Sequence, residues 1–194
     1  MRHLGIAIKL LLVSTVLLGL IYPLVVTGMA QLIFPRQANG SMVKVGERVV
    51  GSQLIGQRFD KPEYFHSRPS AAGANGYDAS ASNSSNLGPT SKALADRVKG
   101  DIDKVTLENR GLKKGEIPAD MVTTSASGLD PDITVEDALA QVGRVASERG
   151  KPVGTVTELV KSQVTRRQFG VFGEERVNVL KLNMMLDERS ETKL

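Results

Sequence analysis

A chain of 194 residues, 41% apolar and 24% charged, has room for one compact domain and an appendage but not for a polytopic carrier or a multidomain ATPase. The absence of cysteine excludes disulfides, thiolate zinc sites, iron–sulfur clusters and a cysteine nucleophile, and two histidines, His3 and His66, are too few for a histidine-built metal centre. Half of the net charge of +4 is carried by Arg2 and Lys9, and no basic stripe interleaved with aromatics follows, which argues against nucleic-acid binding.

The first predicted element is apolar. Residues Leu10 to Phe34 contain no charge, and only Ser14, Thr15, Thr27 and Gln31 interrupt the run with polar groups. As a helix these positions span about 37 Å, more than the roughly 30 Å hydrocarbon core of a bilayer. Pro23 predicts a kink that a membrane helix tolerates. The basic residues before the span keep residues 1–9 in the cytoplasm by the positive-inside rule, placing 10–34 across the membrane and 35–194 outside the cytoplasm. A cleaved signal peptide is the competing reading, with Gly28-Met29-Ala30 as small residues at the cleavage point, but its apolar region ordinarily runs only about 7–15 residues.

The remainder reads as a mixed α/β, or α+β, domain. Ser41 to Val45 and Arg48 to Ile55 are β-rich runs flanking Gly46-Glu47 and predict a hairpin. Residues 68–91 are dominated by Ser, Ala, Gly and Asn and predict a long polar loop, either a flexible insertion or a partner-contacting segment. Ser91 to Asn109 repeats Leu94, Val98, Ile102 and Val105 at helical spacing, with Gly111 as the stop. Met121 to Thr124 predicts a short strand closed by the turn from Ser125 to Gly128. Thr134 with Asp137 forms a capping-box pattern ahead of a helix carrying Ala138, Leu139, Val142, Val145 and Ala146, and Thr155 with Glu158 repeats it for a helix carrying Leu159, Val160 and Val164. The alternation from Val177 to Leu186, with a change of phase at Leu180, predicts a final strand.

The chain contains no phosphate-cradling G-x-x-x-x-G-K-[ST] loop, no G-x-G-x-x-G fingerprint and no G-x-S-x-G elbow. Ser125 and Ser127 lie in a Ser/Gly turn, and His66 is the one histidine after residue 34. A hydroxyl nucleophile needs an adjacent base, so the expected reading of Ser125 to Asp130 is a hydrogen-bonded turn rather than a catalytic centre. Tyr64, Phe65, His66 and Arg68 concentrate aromatic and polar groups in an aromatic-poor chain; they read either as a binding corner or as a core edge with satisfied polar tips. Asp101 and Asp103 stand two apart on a predicted helix, so they do not face one another. These residues identify no catalytic site and no metal site.

Five stretches in order, VGSQLIGQRF (50–59), YFHSRPS (64–70), SNLGP (85–89), TSASGLDPD (124–132) and the segment 177–187 ending in LNMMLD, together with the apolar span, resemble the C subunit of the bacterial Kdp-type potassium-transporting ATPase. The resemblance covers essentially the whole chain. It implies a non-catalytic accessory subunit of an inner-membrane potassium import complex, whose partners are a channel-like potassium-binding subunit and a P-type ATPase subunit. Those partners handle ATP and potassium, and the accessory chain acts as a catalytic chaperone that raises the ATP affinity of the ATPase subunit. The chain lacks the D-K-T-G phosphorylation motif and a T-V-G-Y-G filter, as such a role requires. The resemblance also marks Tyr64, Phe65, His66, Arg68, Asn86, Ser125, Ser127 and Asp130 as partner-contact or structural residues. A signal-anchored periplasmic binding or envelope protein acting alone is the alternative.

Overall fold

The computed structural model describes residues 2–191, which divide into two compact units between Ser52 and Gln53. In the first, an uninterrupted helix runs over Arg2–Ile33, long and apolar enough to cross a membrane, with none of its side chains buried. It comprises α1 (Arg2–Val16), a π-helical turn (Leu17–Ile21) and α2 (Tyr22–Ile33). The wide turn has a local cause. Pro23 has no N–H to give the preceding turn, and the Tyr22 N–H bonds back five residues to the Leu17 carbonyl. The expected disturbance at Pro23 is thus taken up as a widened turn.

A short helix α3 (Pro35–Ala38) leads into the hairpin β1 (Met42–Val45) and β2 (Arg48–Ser52), antiparallel with a bulge between Val43 and Lys44. Gly46 occupies the turn at φ +60°, conformational space that glycine enters without a Cβ penalty. The second strand ends at Ser52, three residues short of the predicted Ile55, and the Ser52 hydroxyl donates to the Gly40 carbonyl at 2.7 Å.

The second unit begins with irregular backbone, since residues 53–91 contain no helix or strand. Then come α4 (Lys92–Glu108), two 3-10 turns (Lys114–Glu116 and Ala119–Met121), β3 (Asp132–Thr134), α5 (Val135–Glu148), α6 (Val153–Ser162), β4 (Val164–Thr165), β5 (Arg176–Asn178) and α7 (Val179–Glu191). The strands form an antiparallel sheet in the order β3-β5-β4, with Ile133 opposite Val177 and Val164 opposite Val177 on the other side. Its core joins Ile133 and Val177 to Ala138, Val142, Val145 and Ala146 of α5, Val156, Leu159 and Val160 of α6, Val179, Leu182 and Leu186 of α7, and Phe65. A smaller cluster sets Val98, Ile102 and Val105 of α4 against Met121 and Val122.

Several sequence-based expectations are corrected. Met121 to Thr124 is not a strand: a 3-10 turn covers Ala119–Met121, and the Thr123 hydroxyl donates to the Ala119 carbonyl at 2.7 Å, so the side chain takes the acceptor locally. Leu139 is 38% exposed rather than part of the α5 core face. The second capping box does not form, because α6 starts at Val153 after Pro152, and Val164 belongs to β4. The predicted final strand survives only as Arg176–Asn178. There Asn178 Oδ1 accepts the Lys181 N–H at 3.2 Å, and the buried set Val179, Leu182, Asn183 and Leu186 recurs at helical spacing. The phase change at Leu180 marks this switch of period.

Candidate functional site

The stretch 62–68 is irregular chain that dips into the interior at Phe65, where a buried backbone N–H and C=O need partners. Phe65 is fully buried in the main core. Asn183 of α7 brackets it: Oδ1 accepts the Phe65 N–H and Nδ2 donates to the Phe65 carbonyl, both at 2.9 Å. Gln141 of α5 treats His66 the same way, with Oε1 accepting its N–H at 2.7 Å and Nε2 donating to its carbonyl at 3.0 Å. Two helical amides therefore replace the neighbouring strand that the segment lacks. Arg144 extends the clamp, donating to the Pro62 and Tyr64 carbonyls at 2.5 and 2.8 Å, to Asn109 Oδ1 at 3.1 Å and to Gln141 Oε1 at 2.6 Å. Burial pulls its guanidinium below the ordinary arginine value, against the pull of Glu108 and Asp137.

Tyr64 stands at the outer edge of this clamp. Its hydroxyl donates to Asp187 at 3.1 Å, and Arg149 lies 4.8 Å over its ring while pairing with the same carboxylate at 2.8 Å. Desolvation first, then the Asp187 contact, raises the phenol above its ordinary value.

Arg68 and Asp130, far apart in sequence, meet at 3.0 Å. The other oxygen of Asp130 accepts the Asp132 N–H at 3.1 Å, which steers the chain into β3. Around this pair the polar loop is fastened to the turn at 125–130. Ser70 donates to the Gly128 carbonyl at 2.5 Å, Tyr77 to the Arg68 carbonyl at 2.6 Å, and both Ser82 and the Asn83 N–H to the Ser127 carbonyl at 3.0 Å. Gly128, at φ +66°, is required here: a Cβ would fall 2.7 Å from both Ala72 N and Asn83 O. Burial pushes the Tyr77 phenol up to about 12. Ser125 and Ser127 face each other at 3.4 Å, and Ser127 also accepts the Leu129 N–H. Asn86 sits apart at φ 49°, bonded to Ser84 at 2.7 Å. The structure thus brings Arg68, Ser127 and Asp130 to one junction, places Phe65 and His66 in the clamp, and leaves Asn86 on the outer loop.

A cavity of about 310 Å³ opens between these parts, lined among others by His66, Tyr77, Asp101, Lys104, Glu108 and Asp137. His66 Nδ1 is 3.7 Å from Glu108, an approach that holds this carboxyl below its ordinary value. Asp101 shifts the other way through burial, although Arg97 lies 3.8 Å away. Asp137 is the deepest of the acids, 1% exposed, and burial followed by the nearby charge of Asp120 pushes it up to about 8. The capping motif explains its position. Thr134 Oγ1 accepts the Asp137 N–H at 3.0 Å as expected, but the reciprocal bond to the Thr134 N–H is taken by Asp120 at 2.8 Å, which leaves the Asp137 carboxyl to Gln141 at 2.6 Å. The Ser125 and Ser127 hydroxyls are not joined to His66, whose ring is engaged by Glu108, the Lys61 carbonyl and Arg144. Among the described residues, no three His, Asp or Glu side chains gather as a metal site.

Sequence reasoning missed Gln141, Arg144 and Asn183 as the organising side chains, and read Asp137 only as part of the helix cap. The available signal was polar residues falling within the apolar faces of α5 and α7, where an unpartnered amide would be costly.

These features define a class: a mixed α/β unit, its interior polar groups committed to holding irregular backbone, carried by a chain whose amino-terminal helix is long and apolar enough to cross a membrane. The family model for the K+-transporting ATPase c chain, KdpC, matches residues 4–188. Potassium-transporting ATPase KdpC subunits of Gemmatimonas aurantiaca and Acidobacterium capsulatum are 55% and 52% identical to it, covering 99% and 97% of this chain and 96% and 99% of their own lengths. The corresponding subunit of Caulobacter vibrioides is 55% identical over 97% of this chain and 94% of its own. The chain belongs to the KdpC family.

Proposed function

We propose that the chain is a non-catalytic accessory subunit of an ATP-driven, high-affinity potassium import complex of the inner membrane. The observation that carries this reading is the family match from residue 4 to residue 188, which includes both the apolar helix and the α/β unit. The helix anchors the chain in a single pass, with residues 1–9 cytoplasmic and 35–194 outside, as the charges of Arg2 and Lys9 favour. Its partners are a channel-like potassium-binding subunit and a P-type ATPase subunit, which bind the ion and the nucleotide.

With the domain outside and ATP inside, the chain cannot raise ATP affinity by touching nucleotide. It acts by binding one conformational state of its partners more tightly than the others, and the coupling free energy then appears at the distant nucleotide site. The family-motif residues Tyr64, Phe65, His66, Arg68, Ser125, Ser127 and Asp130 serve this by keeping the contact surface rigid, with Asn86 on its outer loop.

The test is purification in mild detergent followed by potassium-stimulated ATPase assay with and without the chain. A stable complex with two larger membrane proteins, and a raised apparent KM for ATP when the chain is missing, are expected. Full activity at unchanged KM in its absence overturns the proposal, and a soluble product beginning near Gln31 supports the secreted alternative.

A further inference from the structure

The connection between β4 and β5 is exposed from Arg166 to Glu175. Its turn is self-contained. Gln168 and Phe172 exchange both backbone bonds, at 2.8 and 2.9 Å, the Gly170 N–H reaches the Arg167 carbonyl at 3.1 Å, and Arg167 pairs with Glu174. A turn satisfied in this way needs nothing apolar at its tip.

It nevertheless carries Phe169, Val171 and Phe172, exposed by 94%, 70% and 65%, in a chain with only five phenylalanines. Phe169 also has φ 54°, in the left-handed region where glycine or asparagine sits at less cost. A bulky residue held in strained backbone with its ring in water is unfavourable for the isolated chain on two counts. Such a combination persists where the surroundings compensate, and the described residues provide no cover for the Phe169 ring.

The flanks identify the occupant. Arg166 and Arg167 on one side and Glu174 and Glu175 on the other balance, whereas a surface seated on anionic lipid is ordinarily rich in Lys and Arg. An apolar aromatic centre inside a charge-balanced polar rim is the composition of a protein interface. We propose that the tip formed by Phe169, Val171 and Phe172 inserts into an apolar cleft on another chain of the transport complex, with the four flanking charges as its rim. The proposal rests on the accessory-subunit reading above and adds the surface through which that subunit docks.

The test places the photo-crosslinker p-benzoylphenylalanine at position 169 or 172 of the full chain, co-expressed with the other chains and irradiated in native membranes. An adduct with one of the larger chains is expected. The double substitution F169S/F172S should lower recovery of those chains on this one by about fivefold or more, as loss of a central aromatic contact does, with the unfolding temperature unchanged. Adducts with lipid only or with a second copy of this chain only overturn the proposal. So does the absence of adducts when the unmodified chain still co-purifies with its partners, in which case the accessory-subunit reading stands. If the unmodified chain does not co-purify, both fail together.

Discussion

Two irregular stretches of the second unit solve opposite problems. Residues 62–68 have no strand beside them, yet they are locked: Gln141, Arg144 and Asn183 supply from two helices the donors and acceptors that a sheet would have supplied. Residues 166–175 bond chiefly to themselves and hold their apolar side chains outward. Lack of regular secondary structure therefore says little about rigidity. What separates the two is where the partners come from, and this determines how each responds to mutation.

The largest effect is expected in the clamp. Asn183→Leu keeps the volume but strands the buried N–H and C=O of Phe65, and should destabilise the chain by about 2–5 kcal/mol in detergent-solubilised denaturation. A loss under about 1 kcal/mol would mean that water replaces the amide, and the contrast between the stretches would collapse. Next comes Gly128→Ala at the junction of the polar loop and the 125–130 turn. The new Cβ meets backbone atoms at 2.7 Å on two sides and the backbone is left-handed, so a loss of about 2–3 kcal/mol and proteolytic nicking within 70–83 are expected.

Asp137 sharpens the comparison through pH. Its carboxyl has an ordinary value of 3.8 and is pushed up to about 8 in the folded chain, so the folded state binds the proton more tightly than the unfolded one. The contribution to stability is complete below 3.8 and is lost as pH rises toward 8. Asp137→Asn removes this dependence while keeping an acceptor for Gln141. Between pH 5 and pH 9 the variant should gain on the native chain by about 2 kcal/mol or more, whereas parallel stability profiles would show that the acid is ionised throughout. At the tip the smallest change is expected. Phe169→Asn suits the left-handed backbone and should raise stability by about 0.5 kcal/mol in thermal unfolding. A clear loss would show that the Phe169 ring packs within its own chain.

The sequence by itself determined the features that depend on near neighbours: the apolar helix, the hairpin around Gly46-Glu47, the amphipathic α4 and α5, and the motif order that places the chain in its family. Side-chain period and local turn chemistry are properties of a short window, and these elements follow from them. Where the window was ambiguous, tertiary contact decided. The segment 177–186 alternates well enough to be a strand, but pairing ends at Val177 with β4 and at Asn178 with β3, and the following residues bury a helical face against α5 and α6. The clamp was out of reach altogether, because Asn183 meets Phe65 across 118 positions of chain and Gln141 meets His66 across 75. A glutamine or asparagine on an apolar face has no identifiable purpose until the fold delivers a backbone in need of hydrogen bonds, and only the tertiary structure makes that delivery.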